Sequence, residues 1–317
     1  MLSYNITPQN THLMKAVILF CSLVVSLLLT PLALSEASPP EKDARLTILS
    51  SIRPLDLLVE ELVGDLVEHD VLLEGHQSPH HLVLKMSHMK KLNEADLLLW
   101  VGPEMEQYLV KPAASSASEL AMSKIPGVFW LENAERLKQQ SSEHSHAAER
   151  DPHIWLDLKN VESLAVALVA RLNGLMPAQH QLLQDRLQAF LKKLADMHRL
   201  LALELNSQVG FAAYHEGYAY FVNAYSLKQD AALVKNPTQK LSVKRRAELK
   251  NTLKNSVCLI ADTSEMQAAQ RYANLFQLEL VEVDLLASSS VSKTFSEYYL
   301  NIGKAFKACM ARDKVQA

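Results

Sequence analysis

Three histidines and one aspartate stand where this chain could do metal chemistry. His80 follows a short apolar run through the loop 75–81, and His153 directly precedes a predicted helix. His215 and Asp284 each end a strand-like segment. Because open α/β sheets bind ligands at the carboxyl ends of their strands, we expect these side chains to meet. Three neutral imidazoles form a borderline-soft nitrogen site that suits Zn²⁺, with Asp284 or water as a fourth ligand.

The elements that must position these residues are predicted from the hydrophobic pattern. Strand-like runs cover residues 46–50, 71–73, 97–102, 127–131, 211–215, 257–262 and 280–284, and helical patterns cover 55–66, 157–173, 243–253, 265–276 and 295–311. Continuous apolar runs that alternate with helices are typical of parallel strands buried on both faces. The sequence therefore predicts an α/β fold.

A longer helix is predicted over residues 178–208, with apolar positions three and four residues apart and no Gly or Pro inside it. One interpretation is a rigid helix packed along two lobes, and the other is a coiled-coil dimer. The flanking α/β sequence favours the first interpretation. We therefore predict a monomer with an N-terminal lobe, 38–177, and a C-terminal lobe, 209–317, each with a mostly parallel sheet, linked by this long rigid helix.

Composition limits the classes of function. The chain has 317 residues, which suits about two domains. Hydrophobic residues make up 49% and charged residues 21%, as in soluble globular proteins. A formal net charge of −3 gives no electrostatic case for binding nucleic acid, which needs a concentrated basic face.

The N-terminus has the pattern of a secretory signal. Lys15 precedes an apolar run over residues 16–29, and small residues follow at Ser35 and Ala37. The alternative is a transmembrane anchor, but the run is shorter than the roughly 20 residues that span a bilayer. We predict that residues 1–37 are a cleaved signal peptide and that the mature protein is exported.

Removal of this segment leaves two cysteines, Cys258 and Cys309. In the oxidising compartment that an exported protein meets, two remaining thiols usually pair. The alternative is two buried free thiols.

Several motifs carry a resemblance to a known family. They are Ser-Ile-Arg-Pro-Leu at 51–55, Leu-Asn-Glu-Ala-Asp-Leu at 92–97, Trp-Val-Gly-Pro-Glu-Met-Glu at 100–106, Asp-Pro-His-Ile-Trp-Leu at 151–156 and His-Glu-Gly-Tyr-Ala-Tyr-Phe at 215–221. With them, the chain resembles the metal-specific solute-binding proteins of ABC importers, and most of all their zinc branch. The resemblance extends from about residue 46 to residue 310.

The resemblance implies a fold, a site and a function. In this family each lobe contributes metal ligands and a long helix links the lobes. Carried over by position, His80, His153 and His215 become zinc ligands, and Asp284 matches an aspartate that some members use as a fourth ligand. Cys258 and Cys309 match a disulfide pair of zinc-type members. The implied function is capture of zinc in the periplasm for an ABC permease in the inner membrane, without catalysis.

The chain also departs from the family pattern. Pro79 stands where several zinc-type members have a glutamate, and Asp262 stands where a glutamate is usual. The loop 141–150 holds only His144 and His146, whereas zinc-type relatives often carry a dense His/Asp run there. The reduced loop implies weaker auxiliary capture of metal.

Three other functions are compatible with parts of this pattern. A manganese or iron binder of the same family would need two carboxylates as ligands, and Pro79 and His215 argue against it. A metal-binding adhesin is not distinguished by any motif. A zinc hydrolase would need a general base beside the metal, for which Glu216 and Asp284 are the neighbouring candidates.

Overall fold

The structure is a computed structural model that describes residues 45–73, 77–80, 82–116, 118–131 and 150–312. These residues belong to one compact unit that contains two separate β-sheets. The predicted signal peptide, 1–37, lies outside the described residues, as does all of the predicted loop 141–150 except Arg150. Within the described ranges, no helix is both long and apolar enough to span a bilayer.

The first sheet has four parallel strands. They are β1 Thr47–Ser50, β2 Glu68–Val71, β3 Leu97–Trp100 and β4 Glu119–Ala121, in the order β2-β1-β3-β4. All four residues of the central strand β3 are buried, which explains why its sequence, Leu-Leu-Leu-Trp, is a continuous apolar run. The α-helices in the described part of this lobe are α1 Arg53–Val63, α2 Met86–Glu94, α3 Val110–Ala114 and α4 Leu158–Leu175.

The long helix α5 spans His180–Glu204, inside the predicted range 178–208. Its 25 residues make it about 38 Å long at 1.5 Å per residue. One stripe of its surface is buried, comprising Leu183, Leu187, Phe190, Leu194, Met197 and Leu201. That stripe packs against α1 and α4 of the first lobe and against the C-terminal helix of the second. The prediction of a helix packed along both lobes is confirmed.

The second sheet repeats the order of the first. It consists of β5 Phe211–His215, β6 Gln229–Val234, β7 Cys258–Asp262 and β8 Glu279–Val283, all parallel, in the order β6-β5-β7-β8. Its helices are α6 Ala219–Ala224, α7 Val243–Thr252, α8 Met266–Phe276 and α9 Phe295–Met310. In both sheets the chain crosses from one side of the first strand to the other, and ligand sites of open α/β sheets form at such points.

Some predicted strands are misplaced. The fourth strand is Glu119–Ala121, whereas residues 127–131 form no strand. The second strand is Glu68–Val71, so the predicted run 71–73 begins where this strand ends. The strand Gln229–Val234 was missed. All three are edge strands whose polar residues interrupt the apolar pattern. The lobe boundaries at residues 177 and 209 stay a prediction.

The two cysteines form a disulfide that joins β7 to α9. Cys258 and Cys309 are both fully buried, and their Cα atoms are 5.7 Å apart. This separation is normal for a disulfide. The pairing therefore fastens the last helix to a central strand of the second sheet.

Candidate metal centre

Three histidine rings lie in a row at the junction of the two lobes. The ring centroids of His80 and His153 are 5.5 Å apart, and those of His153 and His215 are also 5.5 Å apart. His153 and His215 are each 3% exposed, whereas His80 is half-buried. The structure thus brings together the three histidines that the sequence predicted as neighbours.

His153 is oriented by a carboxylate of its own segment. Its Nδ1 lies 2.8 Å from Oδ1 of Asp151, which also accepts a hydrogen bond from the amide of His153 at 3.0 Å. The short turn Ile154–Leu156 and helix α4 follow, with Asp157 accepting hydrogen bonds from the amides of Lys159 and Asn160 at the helix start. Because Nδ1 faces Asp151, Nε2 is the nitrogen of His153 that is left for a metal.

His215 is the last residue of β5, and a second carboxylate lies behind it. Its Nδ1 is 2.7 Å from Oε1 of Glu265, and both side chains are 3% exposed. The neighbouring Gly217 places no side chain beside the Nε2 edge of the ring, where an added Cβ would overlap the imidazole. His215 is therefore also turned so that Nε2 faces away from its carboxylate.

His80 reaches the row from the loop between β2 and α2. Its amide donates a hydrogen bond to Oγ of Ser78 at 3.3 Å, and Pro79 beside it is buried. His80 is thus the ligand candidate that depends on a loop rather than on a strand end or a helix start.

Tyrosines of the second lobe hold the segment that carries His153. The hydroxyl of Tyr220 donates to the carbonyl of Asp151 at 3.1 Å and accepts from the amide of Leu131 at 3.1 Å. The hydroxyl of Tyr299 donates to the carbonyl of Leu156 at 2.8 Å. Nε1 of Trp155 donates to Oη of Tyr298, which in turn donates to the carbonyl of Leu285. All of these hydrogen bonds except the one from Tyr298 to Leu285 cross between the lobes, within a few residues of the site.

Burial keeps the nearby phenols neutral. The pKa of Tyr218, whose ring lies 5.7 Å from that of His215, is raised well above its ordinary value, chiefly by burial. Burial likewise raises the pKa of Tyr298. Both remain protonated at physiological pH, so neither supplies an anionic oxygen to the site.

Asp284, the fourth predicted site residue, directly follows β8. Both oxygens of its carboxylate accept hydrogen bonds from neighbouring serines. Oδ1 accepts hydrogen bonds from the amide and hydroxyl of Ser288 at 2.7 and 2.9 Å. Oδ2 accepts from the amide and hydroxyl of Ser289 at 2.9 and 2.5 Å. Four donors fill the four lone-pair positions of a carboxylate. This arrangement supports a role in fixing the turn 284–289 and argues against metal ligation.

The spacing of the rings fits a shared metal ion. When two imidazoles bind one zinc through nitrogens about 2 Å from the metal, their centroids lie about 5 Å apart in tetrahedral geometry. The observed 5.5 Å is close to that value. As placed, no group of three or more His, Cys, Asp or Glu side chains in the described ranges converges into a finished metal site. The rings would therefore have to move for one ion to bind all three.

A cavity of about 1170 Å³ opens beside the row of histidines. His80, Asp151 and His153 line it, together with Glu104 and Glu216. Its volume far exceeds that of a single ion, so solvent has access to the metal side of the rings. The cavity gives an ion a route to His80 and His153.

The contacts of Glu265 and Asp151 with the histidines were not predicted from the sequence, although a pattern around Glu265 indicated its position. Asp262 and Glu265 have the spacing of a helix capping box, an N-cap aspartate followed three residues later by a glutamate. That pattern places Glu265 at the carboxyl end of β7, next to the end of β5. Asp151 stands inside the motif around His153, but nothing in its spacing indicated that it would contact Nδ1.

Comparison with known proteins places this architecture in one family. The family model described as zinc-uptake complex component A, periplasmic (ZnuA), matches residues 48–305, most of the chain. The match includes all three histidines and Cys258, and it ends within α9, before Cys309.

Individual relatives agree with this match. The chain is 29% identical over 241 residues to the high-affinity zinc uptake system protein ZnuA of Yersinia pestis, covering 69% of this chain and 76% of that protein. It is 25% identical over 297 residues to the protein of the same name from Haemophilus ducreyi, covering 85% and 94%. A crystal structure of ZnuA superimposes with a TM-score of 0.71 at 24% identity, over 84% of this chain and 99% of that chain. The structural likeness confirms the two-lobed α/β fold.

Proposed function

The chain belongs to the periplasmic zinc-uptake complex component A family, and from this premise we propose that it captures zinc and hands it to the permease of an ABC importer. The family is one of solute-binding proteins, so the expected product of binding is transport of the ion and not a chemical reaction. Zinc is here the cargo of the protein.

The observation that carries the proposal is the row of three histidine rings contributed by both lobes. His80 and His153 come from the first lobe and His215 ends a strand of the second, with neighbouring centroids 5.5 Å apart. A ligand set divided between lobes links binding of the ion to the arrangement of the lobes. An importer can recognise that arrangement as the loaded form.

The ligand chemistry supports zinc over manganese. Three imidazole nitrogens suit zinc, whereas manganese favours carboxylate and other oxygen ligands. The carboxylates of Asp151 and Glu265 face the Nδ1 atoms of two histidines. The carboxylate of Asp284 is held by Ser288 and Ser289. We therefore propose His80, His153 and His215 as ligands through nitrogen, with water in the fourth position.

The expected location follows from the family and from the N-terminal sequence. Members of this family are described as periplasmic, and residues 1–37 have the pattern of a cleavable signal peptide. Export of the mature chain would place it beside the outer face of the inner membrane, where a permease could receive the ion. We propose that it does so as a monomer.

The experiment is a competition titration of protein purified from the periplasm, with Zn²⁺ and Mn²⁺ against a chromophoric chelator. Wild type should bind one zinc tightly and manganese at least 100-fold more weakly. Replacement of His80, His153 or His215 with Ala, one at a time, should lower zinc affinity by at least 100-fold, because each removes one of three nitrogen ligands.

His180→Ala provides the matched control, because His180 is exposed at the start of α5. It should leave zinc affinity unchanged within about twofold. If the three site variants bound zinc within threefold of wild type, the ligand assignment would be wrong. Preference for manganese or iron would move the protein to another branch of the family.

The two remaining alternatives have their own readouts. A zinc hydrolase would turn over ester or amide substrates, and Glu216, which lines the cavity, would be its base. We expect no turnover that a chelator abolishes. An adhesin would bind a host surface whether or not His215 is present, whereas zinc-dependent growth should require His215.

A further inference from the structure

Glu265 is a buried carboxylate of the second lobe that lies against a proposed ligand, His215. It belongs to the turn between β7 and α8, and its side chain is 3% exposed. Oε2 accepts a hydrogen bond from the amide of Asp262 at 3.0 Å, the last residue of β7. Oε1 lies 2.7 Å from Nδ1 of His215, the last residue of β5. One carboxylate therefore joins the ends of two neighbouring strands.

The contact between Glu265 and His215 is exclusive. Oε1 and Nδ1 are both buried, and neither atom makes another hydrogen bond within the described part of the chain. The two atoms are within hydrogen-bonding distance of each other at 2.7 Å, and rotation of the imidazole would bring the N–H of Nδ1 into line with Oε1. A buried polar atom without a partner costs free energy, and here each atom can be satisfied by the other.

The neighbouring Asp262 does not compete for the ring. Its Oδ1 accepts from the amide and hydroxyl of Ser264 at 2.9 and 2.6 Å, and its Oδ2 accepts from the amide of Leu285 at 2.9 Å. One oxygen of Asp262 thus accepts from Ser264 in the turn, and the other accepts from Leu285. Of these two carboxylates, Glu265 is therefore the one that holds the Nδ1 side of His215.

From this geometry we propose that Glu265 is a positioning residue that holds the proton of His215 on Nδ1 and so presents Nε2 to the zinc ion. The proposal rests on the proposed function for its consequence, since only a metal cargo makes the choice of nitrogen matter. A carboxylate that faces Nδ1 stabilises the imidazole with N–H at Nδ1 and a bare Nε2, which is the form that binds metal.

The described part of the first lobe contains a buried glutamate in the equivalent position, but this glutamate is not paired with a histidine. Glu106 follows β3, the counterpart of β7, and its Oε2 accepts from the amides of Val101 and Gly102 at 2.9 and 3.2 Å. Its Oε1 is buried, and the residue that follows the neighbouring strand β1 is the buried Ser51. Glu106 is therefore a natural control: a fully buried glutamate at the equivalent strand end that touches no proposed ligand.

The test compares Glu265→Gln with Glu106→Gln. In Glu265→Gln the amide oxygen can keep the hydrogen bond from Asp262, but the NH₂ group then faces Nδ1 and favours the proton on Nε2, the wrong nitrogen. We expect zinc affinity to fall by about 10- to 100-fold, as for other residues that orient metal ligands. Glu106→Gln should stay within threefold of wild type. Glu265→Ala should weaken zinc less than Glu265→Gln, because it leaves the ring free to take either form.

Two spectroscopic readouts separate positioning from general damage to the fold. The visible spectrum of the Co²⁺-loaded protein should change in Glu265→Gln and not in Glu106→Gln. Long-range ¹H–¹⁵N NMR of the histidine rings reports the protonated nitrogen of His215 in the metal-free protein. It should be Nδ1 in wild type and Nε2 in Glu265→Gln.

The outcomes distinguish this proposal from the proposed function. If wild type binds zinc tightly and Glu265→Gln does so within twofold, Glu265 does not position His215. If wild-type His215 carries its proton on Nε2, the proposal fails even if Glu265→Gln does not fold, because that measurement needs no variant. If wild type binds no zinc, the proposed function fails, and the NMR measurement still decides the orientation of the ring.

Discussion

The carboxylate of Glu61 in α1 accepts hydrogen bonds from both the amide and the hydroxyl of Ser296 in α9, at 2.8 and 2.7 Å. The two residues are 235 positions apart and belong to different lobes. Because Ser296 lies in the first turn of α9, the negative charge of Glu61 faces the positive end of the helix dipole. Glu61 also pairs with Lys193 of α5, so one side chain ties both lobes to the long helix.

We predict that Glu61→Ala lowers the free energy of unfolding by roughly 2–3 kcal/mol, because hydrogen bonds to a charged, nearly buried group are lost. Glu61→Gln should cost less, since its amide oxygen still accepts one of them. Urea unfolding monitored by circular dichroism measures the difference. Glu248→Ala, which removes only an exposed pairing with Arg245, should stay within about 0.5 kcal/mol of wild type. Equal losses of unfolding free energy in both alanine variants would contradict the role of Glu61 in joining the two lobes.

Glu106 should make stability depend on pH. Burial raises the pKa of Glu106 to about 7, against the lowering effect of its hydrogen bonds, whereas the ordinary value is 4.5. Between these values the unfolded chain has lost the proton and the folded protein keeps it, so stability falls as pH rises. Above about pH 7 the folded protein carries the full cost of the buried charge.

The variant Glu106→Gln has no such charge. We predict that its stability relative to wild type increases from pH 4.5 to pH 8, by up to about 3 kcal/mol, which is the difference in pKa converted to free energy. Thermal unfolding at several pH values in one buffer series measures it. Parallel curves for the two proteins would mean that Glu106 ionises normally in the folded state.

The disulfide should contribute to stability and leave no free thiol. It closes a loop between residues 51 positions apart, for which the chain-entropy model gives about 4 kcal/mol as an upper value. We predict that the double variant Cys258→Ala/Cys309→Ala unfolds with about 2–4 kcal/mol less free energy. Thiol titration of unreduced, denatured protein from the periplasm should detect none. Two titratable thiols would show that the bridge does not form after export.

Tyr220→Phe should loosen the segment that carries His153. It removes the hydrogen bond to the carbonyl of Asp151 and leaves the amide of Leu131 without its acceptor. We predict a loss of about 1–3 kcal/mol in stability and faster release of zinc. Tyr108→Phe is the control, because the buried hydroxyl of Tyr108 has no hydrogen-bond partner in the described ranges. That variant should be neutral or slightly stabilising, and a similar effect of both variants would contradict the prediction.

The central strands could be predicted from the sequence, and most edge strands could not. β1, β3, β5 and β7 are covered on both faces, so burial imposes a continuous apolar run that is easily found. The edge strand β2 reads Glu-His-Asp-Val, and its residues are half-buried or exposed. The apolar run at 71–73 drew the prediction instead, because Leu72 and Leu73 are buried just past the end of the strand.

The sequence predicted which histidines lie close together in the candidate site. It did not predict which side chains surround them. A strand end selected His215, and the position directly before a predicted helix selected His153. Asp284 also follows the end of a strand, yet its carboxylate oxygens accept hydrogen bonds from the hydroxyls of Ser288 and Ser289. Whether a carboxylate at a strand end faces a metal or its own turn depends on side-chain directions, which hydrophobic periodicity does not contain.

The hydrogen bonds of Tyr220, Tyr298 and Tyr299 bear on how quickly a bound ion can leave. Separating the lobes would break these hydrogen bonds at the same time. We therefore expect release of the ion through wide opening of the lobes to be slow. A carboxylate lies against Nδ1 of His153 and another against Nδ1 of His215, and His80 lies half-buried on a loop. We expect His80 to detach first and a two-histidine intermediate to precede release. The lifetime of the loaded protein would then be set by this loop, and a permease that draws the loop away would shorten it.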